Sequence, residues 1–281
     1  MRTHIDCFPC FLRQTTIALA QYSEDRCVQE EVIREVLPLI GRADTARPPA
    51  YTTTFIHRFI RERLGRDPFK KVKDAYNALA MDLYPDLKER VAQSEDPLWA
   101  AARLAISGNV IDFGIFTSID MESSIRRSLE SRIAVDDYEM FRNDVAEAGE
   151  ILYLLDNAGE IVFDRLLIEE LVAAGTKVTA VVKGSAVLND VTTDDALQTG
   201  LTELCEVIHN GSDAIGTILE WTSPEFRARY DAAPLIISKG QGNFETLAGD
   251  GNRTYYLFQS KCDVVSKELG LSPGSMLLKR S

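Results

Sequence analysis

The chain has 281 residues, of which 45% are hydrophobic and 26% charged, and its formal net charge is −12. This is the composition of an ordinary globular protein, long enough for one large domain or for a domain with a smaller companion. The acidic balance argues against a nucleic-acid polymer or an anionic membrane surface as the main partner. No run of about 18 apolar residues suggests a membrane span. The five cysteines, an odd number in a long chain, suit a reducing cytoplasm better than a disulfide framework. Charges and a proline stand near the start, at Arg2, Asp6 and Pro9, where an export signal would need an apolar core, so none is expected.

Residues 1 to about 100 read as helical. Helix-like spacing runs over 11–22, 28–40, 52–64, 69–84 and 87–92, punctuated at 47–49, 65–68 and 95–97. Pro97 opens a further helix to about residue 107, alanine-rich and apolar enough to be buried. Gly108-Asn109 then reads in two ways: as a helix C-terminal turn, or as the means of bringing the Asn109 amide to a site. From about residue 150 the texture changes. Apolar runs at 151–155, 177–182, 206–209, 235–238 and 254–258 alternate with helical stretches at 161–174, 193–199, 212–221 and 224–231. This alternation predicts an α/β fold with a mainly parallel sheet covered by helices. The boundary is placed within 92–97, giving a helical domain over 1–95 and an α/β core over 96–281.

Polar residues gather where the apolar runs end. The first run stops at Asp156-Asn157-Ala158-Gly159-Glu160, and a helical pattern follows at once. In open α/β sheets the crevice at the carboxyl ends of the strands is where ligands bind. Asp and Asn supply oxygen donors suited to Mg²⁺ or Mn²⁺; a plain strand–turn–helix junction would use the same Asn and Gly for its turn. The second run ends in Lys183-Gly184, with Asp190 six residues on. Asp190 could cap the next helix or give a second carboxylate to the same ion. The fourth ends in Lys239-Gly240-Gln241-Gly242-Asn243, an ammonium beside exposed backbone N–H groups that suits a phosphate oxygen. It is neither a Walker A loop nor a dinucleotide fingerprint.

Other chemistries find less support. Cys7-x-x-Cys10 lacks the second pair a zinc site would want. The three histidines, His4, His57 and His209, form no paired ligand motif. No Gly-x-Ser-x-Gly stands in the chain. A nucleophilic Asp156 of the haloacid-dehalogenase type would need a second Asp two residues on, where Ala158 stands.

As an ordered set, Cys7-x-x-Cys10, Gly108-Asn109-x-x-Asp112, Asp156-Asn157-x-x-Glu160, Lys183-Gly184 with Asp190, and Lys239-Gly240-x-Gly242-Asn243-x-Glu245 resemble the DUF89, or ARMT1-like, family of metal-dependent damage-control phosphatases. The Cys pair and the modest length resemble its prokaryotic, chiefly archaeal, branch. The resemblance implies a helical N-terminal region packed on a three-layer αβα core with a Rossmann-like sheet. It implies Mn²⁺, Ni²⁺, Co²⁺ or Mg²⁺ held by Asp156, Asn157 and Asp190. It also implies hydrolysis of small phosphate esters, among them sugar phosphates and intact or damaged purine nucleotides. Residue chemistry agrees: phosphoryl transfer needs positioning and charge neutralisation more than covalent help, and a bound cation activates water. On this reading Lys239, Gly240, Gly242 and Asn243 hold the phosphate, Asn109 adds a contact, and Glu160 orients the metal's water or, the preferred reading, caps the helix it opens. Two other readings stay open: a methyltransferase using S-adenosylmethionine, and a non-catalytic metal- or nucleotide-binding module.

Overall fold

The computed structural model describes residues 1–281 except 66, 68, 109–128, 130 and 250. The Asn109 and Asp112 expectations therefore lie outside the described residues. Seven strands form one mixed sheet: β1 (Ile133–Asp136), β2 (Glu150–Leu154), β3 (Lys177–Val182), β4 (Glu206–His209), β5 (Leu235–Lys239), β6 (Thr254–Gln259) and β7 (Met276–Arg280), in the order β1-β7-β6-β5-β2-β3-β4. The five strands from β6 to β4 are mutually parallel; β7 runs antiparallel to β6, and β1 pairs parallel with β7. This is the expected α/β architecture with a mainly parallel sheet. The predicted strands are those five. β1 and β7 escape sequence reading because each offers only a three-residue apolar stretch ending in charge, too short to show a period.

Helices cover both faces. The N-terminal part supplies α1 (Cys7–Tyr22), α2 (Arg26–Gly41), α3 (Pro49–Leu64), α4 (Lys70–Ala92) and α5 (Pro97–Gly108). Among the strands lie α6 (Tyr138–Glu147), α7 (Glu160–Ala173), α8 (Thr193–Gln198), α9 (Pro224–Ala232), α10 (Gln241–Leu247) and α11 (Asp263–Leu269). The two helices predicted over 69–84 and 87–92 are one, because α4 carries Pro85 inside it. The helix predicted over 212–221 is absent apart from a 3₁₀ turn at Leu219–Trp221. Gly216 explains this: it has φ +67°, and a Cβ there would stand 2.2 Å from the Gly242 carbonyl oxygen. The segment is laid against the turn after β5 rather than coiled.

Two apolar groupings organise the helical region. α1, α2 and α3 bury Phe11, Leu19, Val32, Val36, Ile56 and Ile60 among themselves. In contrast, Ala80, Leu87 and Val91 of α4, and the buried face of α5, join the core that contains α7 and one face of the sheet. α7 packs on the sheet beside α5, which itself rests on β6 and β7, and is flanked by α4, which is why Ile161, Val162, Phe163, Leu166, Leu167, Ile168 and Leu171 are all buried. Its apolar residues spread over more than one face, as packing on several sides requires.

Two measurements test this packing. Leu167→Ala is expected to lower unfolding free energy by about 2–5 kcal/mol in urea titration, through lost burial and an unfilled cavity. His57 of α3 is buried with no hydrogen-bond partner on Nε2. Burial, helped by nearby Arg61, lowers its pKa from 6.5 to about 4. A depressed folded-state pKa contributes stability above pH 6.5 that is lost as pH falls towards about 4. Between those values the native protein should therefore lose more stability than a His57→Leu variant.

Candidate active site

Register brings the functional segments to one edge. Leu154 at the end of β2 pairs with Val181 of β3 and Ser238 of β5, so the turns after all three strands leave the sheet side by side. The turns after β2 and β3 then run antiparallel past each other. Ala158 N donates to Asn189 O (2.8 Å), Val191 N donates to Asp156 O (2.9 Å), and Asn157 and Asp190 form an isolated bridge between them. Asp156, Asn157 and Asp190 are brought together by this backbone arrangement.

The helical layer braces it. Lys73 of α4, buried, donates to Asp190 O (3.1 Å) and to Asp195 Oδ2 (2.6 Å). Asn77, one turn on, donates to Asp195 Oδ1 (2.9 Å) and accepts from Gly159 N (2.8 Å). Asp195 also completes a capping box with Thr192 at the start of α8. Asp195 caps that helix, and Asp190 is left for the site.

The charges are unusual for an interior. Asp156, Glu160, Asp164 and Asp190 are all buried, as are Lys183 and Lys239. Lys239 Nζ donates to Ala105 O (2.8 Å), Glu160 Oε1 (2.6 Å) and Asp164 Oδ1 (2.5 Å). Lys183 Nζ donates to Gly216 O and stands 3.3 Å from Asp190 Oδ2. That contact is an ion pair without hydrogen-bond geometry, since Asp190 Oδ2 accepts no hydrogen bond among the described residues. Burial pushes the Asp156 carboxyl well above the usual carboxylate range, and Glu160 and Asp190 beside it push in the same direction. Burial also raises Asp190, against the pull of Lys183. Lys239 would be lowered by burial, but Asp164 and Glu160 carry it above its ordinary value.

A pocket of about 460 Å³ opens onto Asp156, Asn157 and Asp190, a size that suits a small metabolite. Its wall includes Cys7, Cys10, Gln241, Glu245, Lys261 and Cys262. Burial raises the thiols of Cys7 and Cys10, which keeps them protonated rather than as reactive thiolates. Glu245 is raised to about 7 by burial, against the opposing bond from Gln241. Lys261 is exposed in this wall and makes no ion pair among the described residues.

The predicted phosphate-binding set divides. Gly242 lines the pocket. Lys239 does not: its side chain is 0% exposed and its three protons are committed elsewhere. Asn243 is a tie inside the fold, donating to Lys239 O (2.8 Å) and accepting from Thr217 Oγ1 (2.7 Å). Gly240 N–H points back to Leu257 O (3.4 Å), yet its lack of a side chain matters. It has φ +79°, and a Cβ would fall 2.0 Å from Asp156 Oδ2. Gly240 is the space into which the Asp156 carboxylate fits. Glu160 does not cap α7 with its side chain; it accepts from Lys239 and, on Oε2, from Asn157 Nδ2 (3.2 Å). Lys261, Gln241 and Glu245 went unassigned in the sequence because nothing local marks a residue as pocket-lining when its partners come from α1 and α3.

A divalent cation fits the residues present. Four buried carboxylates meet only two buried lysines in this cluster, and Asp190 Oδ2, 3.3 Å from the Lys183 ammonium, accepts no hydrogen bond among the described residues. Among the described residues no three His, Cys, Asp or Glu side chains converge as ligands; the trio depends on an amide as its third donor, which hard oxygen-seeking ions accept.

Comparison with known proteins agrees with this architecture. The model of the damage-control phosphatase ARMT1-like domain matches residues 3–277, and the chain belongs to that family. An uncharacterized protein of Methanocaldococcus jannaschii is 35% identical, over 98% of this chain and 94% of that one. A damage-control phosphatase of Archaeoglobus fulgidus is 31% identical, over 97% of each chain. The crystal structure of a DUF89 family protein from Pyrococcus horikoshii, 30% identical, superposes with a TM-score of 0.94 over 100% of this chain and 99% of that one.

The glycine argument is directly testable. Gly240→Ala introduces a side chain into the space of the Asp156 carboxylate and strains a glycine-only backbone conformation. It is expected to cost about 1–3 kcal/mol in urea unfolding and, in a crystal structure, to show Asp156 displaced from Asn157.

Proposed function

We propose that this phosphatase hydrolyses small phosphate monoesters with a divalent cation held by Asp156, Asn157 and Asp190. The observation that carries the reading is the pair of buried carboxyls, Asp156 and Asp190, brought together with the Asn157 amide where the β2 and β3 turns meet, in a cluster with more buried carboxyls than lysines. Burial makes these carboxyls costly to ionise, and a divalent cation between them would favour the ionised form of both. Bound there, such an ion would neutralise phosphate charge and make water more acidic. Mn²⁺, Ni²⁺, Co²⁺ and Mg²⁺ are the candidates for an all-oxygen trio.

The chain's own groups supply the rest. Asp156 and Asp190, with the Asn157 amide, present oxygen donors at the pocket floor. Lys261 stands in the wall with an uncommitted ammonium, and takes the phosphate-holding role first given to Lys239. The backbone around Gly242 lets the phosphate approach closely. Residues 1–95 serve as the outer wall of the pocket, through Cys7, Cys10 and Thr53, and residues 96–281 carry the chemistry. The substrate class is a small phosphorylated metabolite, with purine nucleotides in intact or damaged form and sugar phosphates as the leading candidates. A reducing cytoplasm suits the five free cysteines, and among the described residues no helix is long and apolar enough to cross a membrane.

Phosphate release tests the reading. Metal-stripped protein is given Mn²⁺, Ni²⁺, Co²⁺ or Mg²⁺ in turn with an aryl phosphate, nucleotides and sugar phosphates. Release is expected with at least one metal, absent with chelator, and reduced at least about 100-fold in Asp156→Ala and Asp190→Ala. Lys261→Ala should raise KM more than it lowers kcat. Equal turnover in chelator would refute the metal's role, and full activity in Asp190→Ala would remove that residue from the site.

A further inference from the structure

Asn157 is the weakest donor of the trio and the one whose orientation matters most. Its amide has a useful face, the oxygen, and a harmful one, since an NH₂ group turned to a cation repels it. Within the fold, Asn157 Nδ2 donates to Asp156 Oδ2 (2.6 Å) and to Glu160 Oε2 (3.2 Å). Glu160, paired with the Lys239 ammonium, is an acceptor, so the amide nitrogen faces it and Oδ1 is turned away. Among the described residues nothing donates to Asn157 Oδ1.

Glu160 is itself held. Its Oε1 accepts from Lys239 Nζ (2.6 Å); Lys239 also donates to Asp164 Oδ1 (2.5 Å), which accepts from Tyr153 OH (2.8 Å). Glu160, Lys239, Asp164 and Tyr153 are each at most 1% exposed. Ala105 O takes the remaining proton of Lys239, tying the row to α5. A buried lysine has only costly alternatives to such partners, so the row is stiff. The Asn157 amide joins this row to the trio by its bond to Glu160.

We propose that Glu160, seated on Lys239, is a positioning residue: it fixes the Asn157 amide with its nitrogen inward, so that the oxygen is the atom offered to the cation. This rests on the metal-holding role of Asp156, Asn157 and Asp190 given above. Groups that orient a metal ligand typically contribute ten- to a hundredfold in affinity. In Glu160→Gln, the new amide presents its oxygen to Lys239 and its NH₂ to Asn157. That reverses the hydrogen-bond polarity and favours the flipped Asn157.

Mn²⁺ affinity measured by titration calorimetry on the metal-stripped full-length protein tests this, with thermal melts in chelator reporting folding. Glu160→Gln is expected to weaken Mn²⁺ at least about tenfold. A general loss of negative charge would do the same, so the decisive comparison is made in an Asn157→Ala background. There Glu160→Gln should change affinity less than twofold, because no amide remains to orient. Glu160→Asp keeps the charge on Lys239 while drawing the carboxylate back from Asn157. It covers the case in which the glutamine variant does not fold, and is expected to weaken Mn²⁺ severalfold.

Native affinity in both Glu160→Gln and Glu160→Asp would overturn the proposal, as would an equal loss with and without Asn157. Native protein that binds none of the four metals would overturn the metal reading itself. Native binding abolished by Asp156→Ala but untouched by either Glu160 variant would overturn only the positioning role.

Discussion

Burying four carboxylates with two lysines at the carboxyl ends of β2, β3 and β5 is the constraint around which this molecule is arranged. An interior tolerates charge only when it is paired and fully hydrogen-bonded. Lys239 bonds to Glu160 and to one oxygen of Asp164, and Lys183 partly satisfies Asp190. Asp156 and the outer oxygen of Asp190 are left with raised proton affinity at the floor of a pocket. The fold concentrates an unmet demand for positive charge at the place where a parallel sheet ordinarily binds its ligand.

Holding that demand in place requires bracing from outside the sheet. Lys73 and Asn77 of α4 reach the turns after β2 and β3, and α5 gives a backbone carbonyl to Lys239. The same two helices bury apolar faces on α7, the helix that begins at Glu160. Packing energy and site geometry are thus linked through α4, α5 and α7. α1 and α3 play a different part, closing the outer side of the pocket with Cys7, Cys10 and Thr53. The raised thiols of Cys7 and Cys10 make them wall rather than reagent.

Much of this was legible in the chain. The five parallel strands have apolar runs, and the polar segments after β2 and β3 carry Asp156, Asn157 and Asp190, which register then brings together. Local pattern suffices there because a strand end in a parallel sheet has only one place to go. It fails for Lys239. A lysine before a Gly-x-Gly loop looks the same in sequence whether it faces phosphate or sits on a buried glutamate, and only the distant Ala105, Glu160 and Asp164 decide between them. Glu160 was misread as a cap for the same reason: its partners are one turn away and 79 residues away. The expected helix over 212–221 failed at Gly216, whose close approach to Gly242 is a tertiary contact with no local signature. Lys261 stands in a pocket whose opposite wall comes from the first sixty residues, and its sequence neighbours therefore suggest no role for it.

Anomalous scattering at the manganese edge, from crystals soaked in Mn²⁺ after metal stripping, tests the central claim most directly. The expected result is one strong peak within ligand distance, about 2.0–2.6 Å, of carboxylate oxygens of Asp156 and Asp190 and of the Asn157 amide oxygen. A peak placed instead among Cys7, Cys10 and Cys262, or no peak near Asp156 at saturating Mn²⁺, would contradict it.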